Sequence, residues 1–86
     1  MMLRRRHPPA LAVLLTRQDC TLCLAAEPVV VRATADAGVP LEVRDEDADP
    51  ADRARWTDKV PVVLLDGVEH AYCSIDEKVL RRALRG

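Results

Sequence analysis

Ala10-Leu11-Ala12-Val13-Leu14-Leu15-Thr16-Arg17-Gln18-Asp19-Cys20-Thr21-Leu22-Cys23 joins an apolar run to a pair of cysteines two residues apart. The run Ala10 to Thr16 has no polar alternation, which is the pattern of a strand covered on both faces. After the cysteines, Leu22, Ala26, Val29, Val30, Ala33 and Ala37 recur at helical spacing. A helix is therefore predicted from Cys20 to Ala37, closed by Gly38 and capped by Thr16 or Asp19. Two features work against a regular helix: the β-branched Val29-Val30-Val31, and Pro28, which predicts a kink. No turn signal appears before Gly38, so the helix stands. A cysteine pair at a helix start can close into a disulfide with little backbone movement. The unpaired N–H groups and positive partial charge of that helix end favour a thiolate at Cys20. Asp19 opposes that effect and Arg17 supports it.

Further along, Val39 to Arg44 alternates apolar and polar residues and predicts a second, more exposed strand. Asp45 to Asp49 is an acidic loop. Asp49-Pro50 is a helix start with Asp at the N-cap and Pro at the first helical position, predicting a short helix from Pro50 to Trp56. Val60 to Leu65 is a third apolar strand. Asp66-Gly67 is a two-residue hairpin turn that returns the chain as a fourth strand, Val68 to Cys73. A last helix begins between Ser74 and Asp76, with Val79, Leu80, Ala83 and Leu84 on one face and Arg81, Arg82 and Arg85 near its C-terminal end. The order is β-α-β-α-β-β-α. A crossover makes the first two strands parallel and the hairpin makes the last two antiparallel, so the fold class is α/β with a mixed four-stranded sheet flanked by helices.

Eighty-six residues make one domain, which buries about 60–65% of the surface its unfolded chain exposes. Residues 1–9 are expected to be a flexible basic tail and 10–86 the domain. Aromatic residues are limited to Trp56 and Tyr72, so the core must be Val, Leu and Ala. A net charge of -1 with no long basic face excludes the electrostatic footprint of a nucleic-acid binder. Three cysteines are too few for a secreted disulfide framework. Arg4-Arg5-Arg6 followed by the apolar run has the look of a short signal peptide. Against this, Pro8-Pro9 interrupts it, no small-residue cleavage site follows, and cleavage would remove the first strand. No stretch approaches the ~18 apolar residues of a membrane span. A cytoplasmic monomer with neither nucleic acid nor membrane as partner is the expectation.

The chain resembles glutaredoxin-like proteins of the thioredoxin superfamily, and in particular a small bacterial glutaredoxin-like family. The resembling residues are Leu15-Thr16-Arg17 leading into Cys20-Thr21-Leu22-Cys23, then Asp47-Ala48-Asp49-Pro50, then Val60 to Gly67. The resemblance spans about Ala10 to Leu84 and implies a thioredoxin fold. It also implies that Pro61 is cis and lies against the cysteines, and that Pro28 is the kink proline of thioredoxins. The activity it implies is thiol–disulfide exchange with no bound cofactor. Cys20, the more exposed thiol, attacks a protein or small-molecule disulfide; Cys23 resolves the mixed disulfide; backbone groups of Val60 beside Pro61 hold the substrate extended; a separate reductant restores the dithiol. Two departures bear on this. Thr21-Leu22 stand where relatives have Pro-Tyr or Gly-Pro, so no reduction potential carries over. Ala71-Tyr72 and Ser74-Ile75 stand where glutaredoxins bind glutathione through Gly-Gly and Asp, which argues against glutathione as co-substrate.

A different class of function is a non-enzymatic binding module. His70 and Cys73 with Cys20 and Cys23 would complete a Cys3His zinc set, although such ligands usually sit on short loops. Cys73 otherwise reads as a buried strand residue, and His70 as an edge-strand surface residue. The acidic stretch Asp45 to Asp52 lacks the spacing of a calcium loop and reads as a solvated loop with a helix cap. Trp56 reads as packing, with a place near Pro61 that would add to a substrate surface.

Overall fold

A computed structural model of the chain describes residues 7–56 and 59–86. The first six residues of the expected basic tail lie outside this range. The elements are β1 (Ala12–Thr16), α1 (Thr21–Ala37), β2 (Leu41–Asp45), a single 3-10 turn (Glu46–Ala48), α2 (Pro50–Trp56), β3 (Val62–Leu65), β4 (Val68–Tyr72) and α3 (Glu77–Leu84). The sheet order is β2-β1-β3-β4. β1 runs parallel to β2 and antiparallel to β3, and β3 runs antiparallel to β4. This is the mixed sheet and element order that the sequence predicts.

β1 is apolar from Ala12 to Leu15, and both of its faces are covered there. Ala12 and Leu14 face a layer with Val63, Val30, Ala33, Val39, Leu80 and Leu84, which is where α1 and α3 pack on the sheet. Val13 and Leu15 face the opposite layer with Val62, Leu64, Trp56, Val60, Cys20 and Cys23. Fully burying each Leu or Val is worth about 1.5–3 kcal/mol, so these two layers supply the main drive for folding.

Several element boundaries differ from the predicted ones, each for a local reason. β1 starts at Ala12 rather than Ala10, because the N–H groups of Ala10 and Leu11 donate to Asp66 Oδ1 at 2.8 and 3.1 Å. That carboxylate belongs to the hairpin turn, where Asp66 (φ 51°) and Gly67 (φ 83°) both adopt the positive φ that a type I′ turn requires. β2 starts at Leu41 rather than Val39, since the Val39 N–H closes the end of α1 on Thr34 O at 2.9 Å. Gly38 at φ 72° makes that closure accessible. β3 starts at Val62, after the prolyl residue that has no N–H to give the ladder. β4 ends at Tyr72 and α3 starts only at Glu77, capped by Asp76, whose Oδ1 accepts from the Val79 N–H at 3.1 Å.

α1 runs without a break through Pro28. Its buried residues are Cys23, Ala26, Val30, Ala33 and Thr34. Leu22, predicted to lie on the core face, is instead 54% exposed, and Val79 of α3 is also exposed. Each lies beside the buried stripe of its helix rather than on it. The Thr34 hydroxyl donates to Val30 O at 2.8 Å, which satisfies an otherwise costly buried group. Among the described residues no helix is long and apolar enough to cross a membrane.

Candidate active site

The β1–β3 register sets the site. Leu15 pairs with Val62 in an antiparallel ladder, so the end of β1 and the start of β3 lie side by side. The chain leaving β1 reaches the cysteines, and the chain entering β3 is the Val60-Pro61 loop, whose peptide bond is cis. Val60 and Pro61 are both buried, and Val60 packs in the same cluster as Cys20 and Cys23.

Between β1 and α1 the chain reverses at Asp19, which has φ 59°, a left-handed conformation that Asp tolerates better than most residues. The helix cap is neither Thr16 nor Asp19 but Cys20 itself. Its backbone is extended (φ −102°, ψ 110°), and its Sγ accepts the Cys23 N–H at 3.2 Å. Thr16 turns its hydroxyl away, toward Arg44 O at 3.5 Å. A sulfur thus occupies the place of a capping oxygen, at the end of the helix where N–H groups lack intrahelical partners.

Cys20 is 9% exposed and Cys23 3%, so both are recessed and Cys20 is the more open. All three cysteines are free thiols. Cys23 is pushed up to about 11, chiefly by burial and then by its hydrogen bond to Cys20, with the charge of Cys20 adding to both. Arg17 acts the other way, through a backbone hydrogen bond and its positive charge. Cys23 is therefore a protonated thiol at neutral pH.

Trp56, at the end of α2, is buried against the cysteine cluster. The Arg55 guanidinium lies 4.7 Å from its ring centroid, and Lys59 Nζ is 5.7 Å from it and 5.0 Å from that of Tyr72. Trp56 thus packs in the cluster that holds Val60, next to Pro61 in the chain, with two cations over its ring.

The acidic stretch contains the residue that sequence reasoning missed. Asp49 caps α2 as expected, its Oδ1 accepting the Ala51 N–H at 2.9 Å, and Asp52 pairs with Arg44 at 3.6 Å. Glu46, however, is not part of a solvated loop. It is completely buried, and its Oε1 lies 3.5 Å from Arg17 Nη1. In sequence, nothing in the acidic stretch marks Glu46 for burial; the β1–β2 register, with Thr16 opposite Asp45, puts it beside Arg17.

Cys73 also departs from expectation. It lies past the end of β4 with φ 63°, its N–H donating to Pro61 O at 2.8 Å and Lys59 O at 3.0 Å. It is half-buried, lining a groove of about 160 Å³ with Leu22, Ala25, Ala26, Val29, Ser74 and Ile75. His70 is half-buried on the edge strand, and burial lowers its pKa from the ordinary value. Among the described residues no three His, Cys, Asp or Glu side chains gather as a metal site, so His70 and Cys73 do not join Cys20 and Cys23 in a zinc set.

Residues 12–85 match the family model of the Glutaredoxin-like domain (DUF836). The chain belongs to this glutaredoxin-like family. An Uncharacterized protein Rv0508 of Mycobacterium tuberculosis (strain ATCC 25618 / H37Rv) is 37% identical over 73 residues, covering 79% of this chain and 75% of its own. Uncharacterized protein Mb0520 of Mycobacterium bovis matches to the same extent. Among solved structures, that of protein Ne2328 from Nitrosomonas europaea superposes with a TM-score of 0.72 at 21% identity, over 95% of this chain and 99% of that one. Fasciola hepatica thioredoxin superposes with a TM-score of 0.61 at 21% identity, over 86% and 76% of the two chains. The glutaredoxin-like chain therefore has a thioredoxin-type fold.

Proposed function

We propose that this glutaredoxin-like protein is a thiol–disulfide oxidoreductase acting through Cys20 and Cys23. The observation that carries the reading is the contact between the Cys23 N–H and Cys20 Sγ at 3.2 Å, at the start of α1. It keeps the two residues close enough for their sulfurs to join with little backbone movement. The neighbouring Val60-Pro61 loop supports the same reading, because it borders the cysteine cluster where an extended substrate chain would lie.

In the proposed cycle the Cys20 thiolate attacks one sulfur of a substrate disulfide. The second substrate sulfur leaves as a thiolate and takes up a proton. Cys23 then loses its proton and attacks Cys20 Sγ, the bond from Cys20 to the substrate breaks, and the substrate sulfur that Cys20 had attacked leaves and takes up a proton as the other thiol. The substrate disulfide is reduced to two thiols, while the dithiol is oxidised to the Cys20–Cys23 disulfide. A dithiol or low-molecular-weight thiol donor returns the two electrons and two protons. The substrates are protein or small-molecule disulfides, bound with the help of Val60 backbone groups and without a bound cofactor. The setting that suits this chemistry is the reduced thiol pool of the cytoplasm, with the protein acting as a monomer.

The test is equilibration in thiol/disulfide buffers of graded potential, followed by alkylation and peptide mass mapping. A single two-electron transition on Cys20–Cys23 between about −270 and −120 mV supports the proposal. Absence of that disulfide at every potential refutes it.

A further inference from the structure

We infer that Cys73 is a positioning residue for the redox site, through its backbone and not its thiol: a strained turn centred on it aims one N–H at the Val60-Pro61 loop and holds that loop ready for an extended substrate chain. This rests on the exchange cycle proposed above. The geometry comes from the β3–β4 ladder. Val62 is paired with Tyr72, so the next step along the ladder sets Pro61 against Cys73. The Cys73 N–H is shared between Pro61 O at 2.8 Å and Lys59 O at 3.0 Å.

Beyond that shared bond the chain leaves the sheet at once. The Ser74 N–H donates back to Tyr72 O at 2.7 Å, which closes a three-residue turn around Cys73. With φ 63° at its centre, this is the rare and strained kind of γ-turn. Glycine accepts such a φ without steric cost, whereas a residue with a Cβ holds it only where its surroundings impose it. The loop that the turn holds is fixed on both sides of one residue. Lys59 donates its N–H to Trp56 O at 2.8 Å and gives its carbonyl to Cys73, and Pro61 gives its carbonyl to the same N–H. Val60 lies between them, and among the described residues neither its N–H nor its C=O has a backbone partner. Open backbone groups on a fixed residue are what an added strand pairs with. Val60 packs with Cys20 and Cys23, so a chain paired there passes the reacting sulfur. Fixing the loop in advance removes an ordering cost that binding would otherwise meet.

The test uses the full chain carrying Cys23→Ser, so that an adduct on Cys20 cannot be resolved. Two probes are compared: the disulfide dimer of an uncharged, extended peptide with one central cysteine, and hydroxyethyl disulfide, which has no peptide groups. The rate of adduct formation on Cys20 is read by peptide mass mapping, and the ratio of the peptide rate to the small-disulfide rate is the measured quantity. Cys73→Val, whose branched Cβ disfavours a positive φ, should lower the ratio by about three- to tenfold, the scale of one or two backbone hydrogen bonds. Ser74→Pro removes the donor that closes the turn and drives the residue before it to extended backbone, and should lower the ratio equally. Cys73→Gly, which keeps the turn and lacks the thiol, should hold the ratio of the parent chain. An unmoved ratio in Cys73→Val or Ser74→Pro overturns the inference, and this is also the result of a merely loosened core, which changes both rates together. A loss in Cys73→Gly as large as in Cys73→Val overturns it too, because the thiol and not the backbone would then matter. Should Cys73→Val not fold, Ser74→Pro carries the test, since the side chain it replaces is exposed. No step requires a Cys20–Cys23 disulfide, so the outcome is separable from that of the buffer titration.

Discussion

Replacing Trp56 by alanine takes the largest side chain out of the layer that holds the cysteines. Trp56 is 5% exposed and is the single tryptophan of the chain. A buried aromatic side chain withdraws about 150–250 Å² from water. With the share that alanine keeps removed, about 150 Å² of apolar surface at about 25 cal/mol per Å² gives about 4 kcal/mol. That lies inside the range of about 3–5 kcal/mol typical of such truncations. A domain of this length holds about 4–13 kcal/mol in all, so Trp56→Ala should stand near the edge of folding. Trp56→Leu, which refills part of the space, should lose about 2 kcal/mol. Urea unfolding followed by far-ultraviolet circular dichroism measures both, since the intrinsic fluorophore is gone. With an m-value of about 1.5 kcal/mol/M, the midpoint of Trp56→Ala should fall by about 2–3 M. A loss below about 1 kcal/mol at unchanged m would show that Trp56 does not fill the cysteine layer and would refute the packing argument.

Asp76→Ala removes the side-chain acceptor at the start of α3 and should cost about 1 kcal/mol in the same urea assay. Gly67→Ala meets no atom within 4 Å but places a Cβ at φ 83°, and should cost about 1–2 kcal/mol from backbone strain alone. Burial lowers His70, so the unfolded chain binds this proton more tightly; stability should fall as pH drops through the region below 6.5, and His70→Gln should flatten that slope in urea midpoints taken across it. Cys23 shows the opposite sign. With the folded thiol at about 11 and the ordinary value at 9.0, its contribution is complete below pH 9.0 and lost as pH rises toward 11, so Cys23→Ser should remove that part of the alkaline decline.

The elements were legible wherever a few adjacent residues decide the backbone. Asp66-Gly67 can be read as a turn because two positive φ angles in succession admit few other residues. Asp49-Pro50 can be read as a helix start because the Asp side chain serves the first free N–H and Pro has none to lose. Boundaries were less legible, since partners outside the element set them: Asp66 holds Ala10 and Leu11 out of β1. Burial at helix flanks was harder still. Leu22 and Val79 have apolar side chains at plausible spacing, yet both face outward, because the position of the stripe depends on what the helix packs against.

The candidate site divides along the same line. Residue order alone determined a cysteine pair between a buried strand and a helix start, with a prolyl strand and a hairpin further on, and these are local patterns. Tertiary structure decided that Cys73 leaves the strand and that Glu46 is buried against Arg17. The physical reason is range. Backbone preference is settled within a turn or two of chain, whereas burial and charge pairing depend on which distant segments the sheet register sets side by side, and that register is what brings Glu46 beside Arg17.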